Sequence, residues 1–247
     1  MSDWPLGYVL KEFETLDSTN EEARRLAHAG ETAPVWIIAR QQTAGRGRRG
    51  RAWISPPGNL AATLLLRPAR LAAECAQLSF AAAIATADTV ATFAPHADIK
   101  VKWPNDVLAG GKKIAGLLLE SETSGHGLWL ALGIGINLAH YPPDTEFPAT
   151  CLAEQGVRPP PASDVLPVLA AQMAKWYDLW QMQGFSPIRD AWLARAAGLG
   201  APIRVRLADS ETSGVFEGID ANGALILREK LDHARTIAAG DVFFGRN

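Results

Sequence analysis

The sequence predicts an α+β fold in which a mixed sheet with flanking helices is followed by a small β-barrel. Three observations carry that prediction. Strand-like runs alternate with two helical patterns over the first 140 residues, a Pro-rich break then leads into two more helical patterns, and from residue 201 short alternating strands and turn residues take over. At 247 residues the chain accommodates one large domain and one small one, given roughly 100 to 200 residues per domain. A core of that size needs no disulfide or metal to support it.

The elements follow in order. Residues 18–21 (STNE) read as an S-x-x-E capping box that starts the first helix, and Gly30 stops it. VWIIA from Val35 and NLAATLLL from Asn59 are strands, and the Ala-rich stretch 71–94 is a helix small enough in side-chain volume to lie close on the sheet. IKVKW from Ile99, IAGLLLESE from Ile114 and LWLALGIGINLA at 128–139 are further strands, with Gly110-Gly111 as the tight turn of a β-hairpin. Pro-rich breaks at 141–148 and 159–161 precede helices over 162–183 and 188–197, in which Trp176 and Trp180 lie one turn apart and read as core. PIRVRLA, SGVFEGI, GALILRE, ARTIAA and GDVFF supply the barrel, so a boundary falls near residue 200, dividing the chain into 1–199 and 200–247.

Composition narrows the function classes. Hydrophobic residues at 48% and charged residues at 20% exclude a disordered chain. The 24 Lys and Arg against 26 Asp and Glu leave a net charge of -2, which argues against a surface coated for nucleic acid, so any cationic function must be local. Cys75 and Cys151 read as reduced thiols, and the amino-terminal MSDWPLGYVLKEFETLD lacks the basic and apolar regions of an export signal, so a cytoplasmic protein is expected. The most apolar stretch, 128–139, falls well short of the roughly 18 to 20 residues that span a bilayer.

The most unusual segment is GRGRRGR at 45–51. Its glycines spell G-x-G-x-x-G, but the following AWISPPG cannot start the helix a dinucleotide fold requires, and no acid stands near Arg67 to hold a ribose. No G-x-x-x-x-G-K-[ST] occurs either. Four guanidiniums in seven residues repel one another, and glycines offer no packing to hold them, so the loop is expected to await an anion. It reads as a solvated turn, as a nucleic-acid patch, or as a cover for a small polyanion such as a nucleoside triphosphate. Two other segments bear on the choice. KWPND at 102–106 and the hairpin that follows put Asp106 and Lys113 within reach of one ligand, or of one another as a surface salt bridge. DSTN at 17–20 is either a helix cap alone or a helix start offering three small polar side chains to a ligand.

Taken together, DSTN at 17–20, QTAGRGRRGRAW at 42–53, KWPNDV at 102–107, KKIAGLLLE at 112–120 and GIGIN at 133–137 closely resemble the biotin protein ligases in order and spacing, over essentially the whole chain. The resemblance implies a fold like class II aminoacyl-tRNA synthetases and biotin ligases, with an SH3-like carboxyl-terminal barrel. It implies a two-step reaction in which biotin and MgATP give biotinyl-5′-AMP and pyrophosphate, after which a lysine of a biotin carboxyl carrier protein attacks the mixed anhydride. On this basis Arg48, Lys113 and Asp106 are the catalytic candidates. Ser18, Thr19, Asn20, Gln42, Arg46, Gly47, Arg48, Lys113 and Gly116 are expected around biotin, and Arg46, Arg48, Arg49, Arg51, Trp53, Asn105, Lys113 and Asn137 around ATP or the adenylate. Asn137 alternatively reads as a turn residue ending a strand, and Asp106 as a general base, a magnesium-shell ligand or an electrostatic anchor.

The resemblance further implies a soluble monomer or homodimer that binds neither DNA nor membrane. With the first motif at Asp17, the preceding 16 residues are too few for the winged helix that some family members use as repressors. The five His residues are scattered without metal-ligand spacing and no G-x-S-x-G is present, so no covalent enzyme intermediate is expected. A lipoate or octanoyl ligase of the same fold, a nucleic-acid-binding protein using the arginine loop, and a pseudoenzyme that binds biotin without transferring it are the alternatives.

Overall fold

A computed structural model describes residues 4–229 and 233–245. The outer limits of the two expected domains, residues 1 and 247, fall outside the described residues. The chain opens with strand β1 (Val9–Leu16), helix α1 (Thr19–His28) and strand β2 (Val35–Gln42), and β1 and β2 pair in parallel. Strand β1 leaves no strand signal in the sequence, for a physical reason. It is an edge strand, largely exposed on both faces, so VLKEFETL carries no clean alternation of apolar and polar residues.

Strands β3 (Leu60–Leu66), β4 (Ile99–Lys102), β5 (Asp106–Ala109), β6 (Lys112–Ser124) and β7 (Gly127–Ile136) complete a seven-stranded sheet in the order β1-β2-β3-β7-β6-β5-β4. Every pairing beyond β1–β2 is antiparallel. The sheet is covered on both faces, which explains the unbroken apolar runs in β2 and β3. Alternate residues of β2 go opposite ways: Val35 and Ile37 pack with Ala23 and Ala27 of α1, while Trp36 and Ile38 join the main core. On that second face lie helices α2 (Ala72–Cys75) and α3 (Leu78–Phe93), the expected 71–94 helix in two pieces, together with α4 (Ala162–Gln183) and α5 (Phe185–Leu193). Small residues along α3 (Ala81, Ala82, Ala83, Ala85, Ala87) are buried and let it sit close to the sheet. Trp176 and Trp180 are core, as expected.

The first helix starts and stops where the sequence places it, but not by the expected cap. Ser18 is the N-cap residue without making a side-chain cap bond, and Glu21 turns instead to Arg46. Gly30 follows the helix with φ +86°, a conformation that suits glycine. The Gly110-Gly111 turn, with φ +55° and +75°, joins β5 to β6 as a two-residue hairpin.

The carboxyl-terminal strands β8 (Pro202–Arg206), β9 (Glu211–Ile219), β10 (Leu225–Arg228), β11 (Ala234–Ile237) and β12 (Asp241–Phe244) form a five-stranded antiparallel sheet ordered β11-β10-β9-β8-β12. Among the described residues its outer strands do not pair with one another, so the small β unit is curled rather than closed by a ladder. It packs firmly on the larger unit. Phe80 meets Phe185 and Trp192 edge-on at 5.4 and 5.5 Å, Trp192 meets Phe216 at 6.5 Å, and the Trp103 indole donates to Gly223 O at 3.0 Å.

One buried amide positions the end of β7. Asn59 Oδ1 accepts from the backbone N–H groups of Leu138, Ala139 and His140 at 3.0 to 3.1 Å, and its Nδ2 donates to His140 O at 2.9 Å. Removing it strands buried donors. Asn59→Ala is therefore expected to lower unfolding stability by about 2 to 4 kcal/mol in a urea titration, and a loss near zero would show that water or a backbone shift replaces it.

Candidate active site

A cavity of about 360 Å³ lies on the sheet where β6 and β7 run beneath the arginine loop and the β12 end of the small unit. Ser18, Thr19, Asn20, Gln42, Arg46, Gly47, Arg48, Arg51, Trp53, Asn105, Asp106, Lys113, Gly116 and Asn137 all line it. Residues up to 119 positions apart in the chain thus share one space, from Ser18 to Asn137. Arg49 alone of the selected residues does not line it; its guanidinium turns to Asp241 at 3.3 Å.

At one end the start of α1 presents a fixed set of polar groups. Thr19 donates through its backbone N–H and its hydroxyl to Gln42 Oε1 at 2.8 and 3.1 Å. The buried Thr63 hydroxyl bridges Thr19 Oγ1 (2.7 Å) and Asn20 Oδ1 (2.6 Å), while Asn20 Nδ2 donates to Glu120 Oε2 at 2.7 Å. These bonds leave each amide one orientation. Gly133 is required beside them, because a Cβ there would fall on the Asn20 amide.

The floor is made by glycines. Trp53 lies against Gly135 and Gly116; a Cβ on Gly135 would clash with the indole, and one on Gly116 would approach it to 2.9 Å. Gly116 of the KIAG motif and Gly135 of GIGIN therefore leave space for an aromatic side chain, as Gly133 leaves space for the Asn20 amide. Asn137, just past the end of β7, is buried and lines the cavity. Its Nδ2 donates to Thr150 O at 3.0 Å, as a turn residue would, while its Oδ1 has no donor among the described residues.

At the other end Asp106 stands opposite Lys102 in the β4–β5 ladder and opposite Gly116 in the β5–β6 ladder. Lys113 Nζ lies 2.6 Å from its Oδ1 and 5.6 Å from the Trp53 ring centre. Lys102 Nζ lies 3.6 Å from Oδ2 and 4.0 Å from the Phe147 ring centre. The expected Asp106–Lys113 pair forms, and it sits in the cavity rather than on the surface.

The arginine loop is not left without partners, contrary to the expectation from its glycines and like charges. A bridge between Arg46 and Ala52 closes it, with Gly47 N–H donating to Arg51 O at 2.7 Å, and Arg49 takes a left-handed φ of 56° in the turn Arg48–Gly50. Carboxylates from three distant elements neutralise it. Arg46 pairs with Glu21 of α1 and with Glu120 of β6 at 3.5 Å, and Arg49 and Arg51 pair with Asp241 of β12 at 3.3 and 3.0 Å. Burial alone would raise the Asp241 carboxyl, but Arg51, Arg206 and Arg49 outweigh it and hold the group below its ordinary range. Arg48 differs from the other three. It reaches Asn105 Oδ1 and Gly240 O, both at 3.4 Å, and burial pulls its guanidinium below the usual range.

Sequence reasoning missed Lys102, Asp241, Phe147 and Gly135 as cavity residues. Lys102 was legible: it is four residues from Asp106 across a three-residue turn, a spacing that brings two strand-end side chains together. Asp241 had no local signal, since only the tertiary fold brings it to the loop.

Comparison with known proteins gives the family. The model described as biotin/lipoate A/B protein ligase family matches residues 12–137, and that for the biotin protein ligase C terminal domain matches 198–245. A biotin–[acetyl-CoA-carboxylase] ligase of Paracoccus denitrificans is 48% identical over 237 residues, 93% of this chain and 98% of that one. The chain belongs to the biotin protein ligase family. Within it, the bifunctional ligase/repressor BirA of Bacillus subtilis (strain 168) is 32% identical, covering 97% of this chain and 75% of its own length. The solved biotin protein ligase from Aquifex aeolicus in complex with biotin and ATP superposes with a TM-score of 0.82 at 25% identity, over 97% of this chain and 99% of that chain.

In this biotin ligase the Asp241 carboxylate is the main tie between the arginine loop and the small β unit. Asp241→Ala is expected to speed amide hydrogen exchange across residues 45–53 by about tenfold or more while leaving α3 and α4 protected. Unchanged exchange in the loop would show that its backbone bonds suffice.

Proposed function

We infer that the protein is an ATP-dependent biotin protein ligase that makes biotinyl-5′-AMP and passes biotin to a lysine of a biotin carboxyl carrier protein of acetyl-CoA carboxylase or a related carboxylase. The observation that carries this is one cavity with a neutral hydrogen-bonding end, an apolar and aromatic floor and a cationic end. Those three parts fit a ureido ring, a valeryl chain and a phosphate-bearing anhydride in turn.

Ser18, Thr19, Asn20 and Gln42 hold the ring system, with Arg46 and Gly47 closing the loop over it, and the floor around Gly116 takes the chain. Lys113 and Arg48 draw the biotin carboxylate and the α-phosphate together, two groups of like charge that otherwise repel. A carboxylate oxygen then bonds to the α-phosphorus, and the bond to the bridging oxygen breaks with its electron pair leaving on pyrophosphate. Trp53, Asn105 and Asn137 take the nucleoside side, Asn137 Oδ1 being an acceptor without a donor of its own. Arg49 and Arg51 follow the phosphates once these compete for their pairing with Asp241. In the second step the carrier amine attacks the acyl carbon and AMP leaves. The 2.6 Å pair with Lys113 supports Asp106 as an electrostatic anchor in both steps. Mg²⁺ enters with the triphosphate as part of the substrate, which is its usual mode of binding.

The two units of this enzyme divide near residue 200, and it works in the cytoplasm as a monomer or homodimer. Among the described residues no helix is long and apolar enough to cross a membrane. Arg46, Arg49 and Arg51 are each paired with a carboxylate, which supports a loop that serves ligand phosphates rather than DNA.

Biotin-stimulated exchange of pyrophosphate into ATP, absent with lipoate, tests the reading and separates it from a lipoate ligase. Labelling of a carrier domain, read by streptavidin blot, separates it from a protein that only binds biotin. Arg48→Ala and Lys113→Ala are each expected to slow exchange by about 100-fold or more with melting temperature unchanged within a few degrees, both side chains facing the cavity rather than the core. Full exchange in either variant would overturn the assignment of that residue.

A further inference from the structure

Lys102 has a place in the cavity that the roles above leave unfilled. Its side chain is only 7% exposed, and its one ion-pair partner among the described residues is Asp106 Oδ2 at 3.6 Å. That carboxylate is already engaged at 2.6 Å by Lys113 through its other oxygen. Two ammonium groups thus share one carboxylate, and the Arg48 guanidinium beside them hydrogen-bonds, among the described residues, to a carbonyl and an amide oxygen rather than to a carboxylate. A buried cation short of counter-charge is costly unless an anion completes its surroundings. Burial accordingly pulls the Lys102 ammonium below its ordinary range, with Asp106 opposing and Lys113 adding to the effect.

The two lysines also look different ways. Lys113 lies over Trp53, next to Gly116. Lys102 lies over the Phe147 ring at 4.0 Å, and Asp241, the carboxylate that gathers Arg49 and Arg51, is among the charges it feels. Asp106 therefore separates an ammonium facing the acyl and nucleoside end from one facing the loop arginines.

We propose that Lys102 is a catalytic residue of the first step, the cation that binds the departing pyrophosphate. As the bond between the α-phosphorus and the bridging oxygen breaks, the electron pair settles on that oxygen, and Lys102, buried and already in place, meets the charge that grows there. No proton need move. The proposal rests on the biotin ligase reading and adds to it a division of labour: Lys113 serves the atoms that stay in the adenylate, and Lys102 those that leave.

That division has a specific consequence, because pyrophosphate takes part in the first step only. Lys102→Met keeps most of the side-chain volume against Phe147 and removes the charge. It is expected to slow biotin-dependent adenylate formation and pyrophosphate exchange by about 100-fold, with the affinity for biotin unchanged. Transfer from added biotinyl-5′-AMP to a carrier domain should stay within about threefold of the wild-type rate. Equal losses in both steps would mean that Lys102 only holds Asp106 or the fold, and adenylation at the wild-type rate would mean that it has no role; either overturns the proposal. A wild-type enzyme that forms no adenylate at all would instead overturn the underlying reading. Should the variant not fold, a crystal of the wild-type enzyme with pyrophosphate decides, an oxygen about 3 Å from Lys102 Nζ supporting the proposal and a pyrophosphate bound away from it contradicting it.

Discussion

Around Asp106 the fold gathers more positive charge than it neutralises. Lys102, Lys113 and Arg48 reach the same corner of one cavity, where both lysines pair with the Asp106 carboxylate and Asp241 acts on Lys102 and Arg48 without an ion pair to either among the described residues. Like charges do not assemble without being forced. What forces them is the β4–β5–β6 meander, which sets Lys102 opposite Asp106 and Asp106 opposite Gly116 and carries Lys113 in the same hairpin. The meander is in turn held by burial of its apolar residues, Val101, Val107, Ile114 and Ala115, in the main core. Hydrophobic burial thus supplies the free energy that holds these like charges together.

The arginine loop extends the same logic to a movable part. Three of its arginines are matched to carboxylates on α1, β6 and β12, so the like charges of the loop are offset by groups of the protein itself. These pairs are partly exposed on the arginine side, and exposed pairs are individually weak, so under the proposed function a triphosphate in the cavity would compete with them on favourable terms. Asp241 also ties the small β unit to the cavity: it comes from the far end of the chain to hold a loop that the first 60 residues supply. The aromatic contacts among Phe80, Trp192 and Phe216 fix that unit in place, which the exchange of loop partners requires.

Much of this was legible in the sequence, for identifiable reasons. Buried strands and helices such as β3 and α4 announce themselves because their periodicity is a direct imprint of what they cover. The motif residues were legible because the chemistry needs rare combinations, four arginines among glycines or a carboxylate just before a Gly-Gly hairpin. What was hidden was relational. β1 is an edge strand whose exposure erases its pattern, Glu21 looked like a cap until Arg46 stood beside it, and Gly135 was one residue of an apolar strand until Trp53 filled the space above it. The loop was misjudged as unheld because its partners, Glu120 and Asp241, are distant in sequence and ordinary in type.

The account stands or falls on one claim, that this cavity makes and keeps a reactive adenylate without bonding to it. Native mass spectrometry of the protein incubated with biotin and MgATP, in the absence of a carrier, tests that claim directly. The expected result is a complex heavier by one biotinyl-5′-AMP that disappears when the protein is denatured and is cleared when a carrier domain is added. A protein of unchanged mass, or an added mass that survives denaturation, would contradict it.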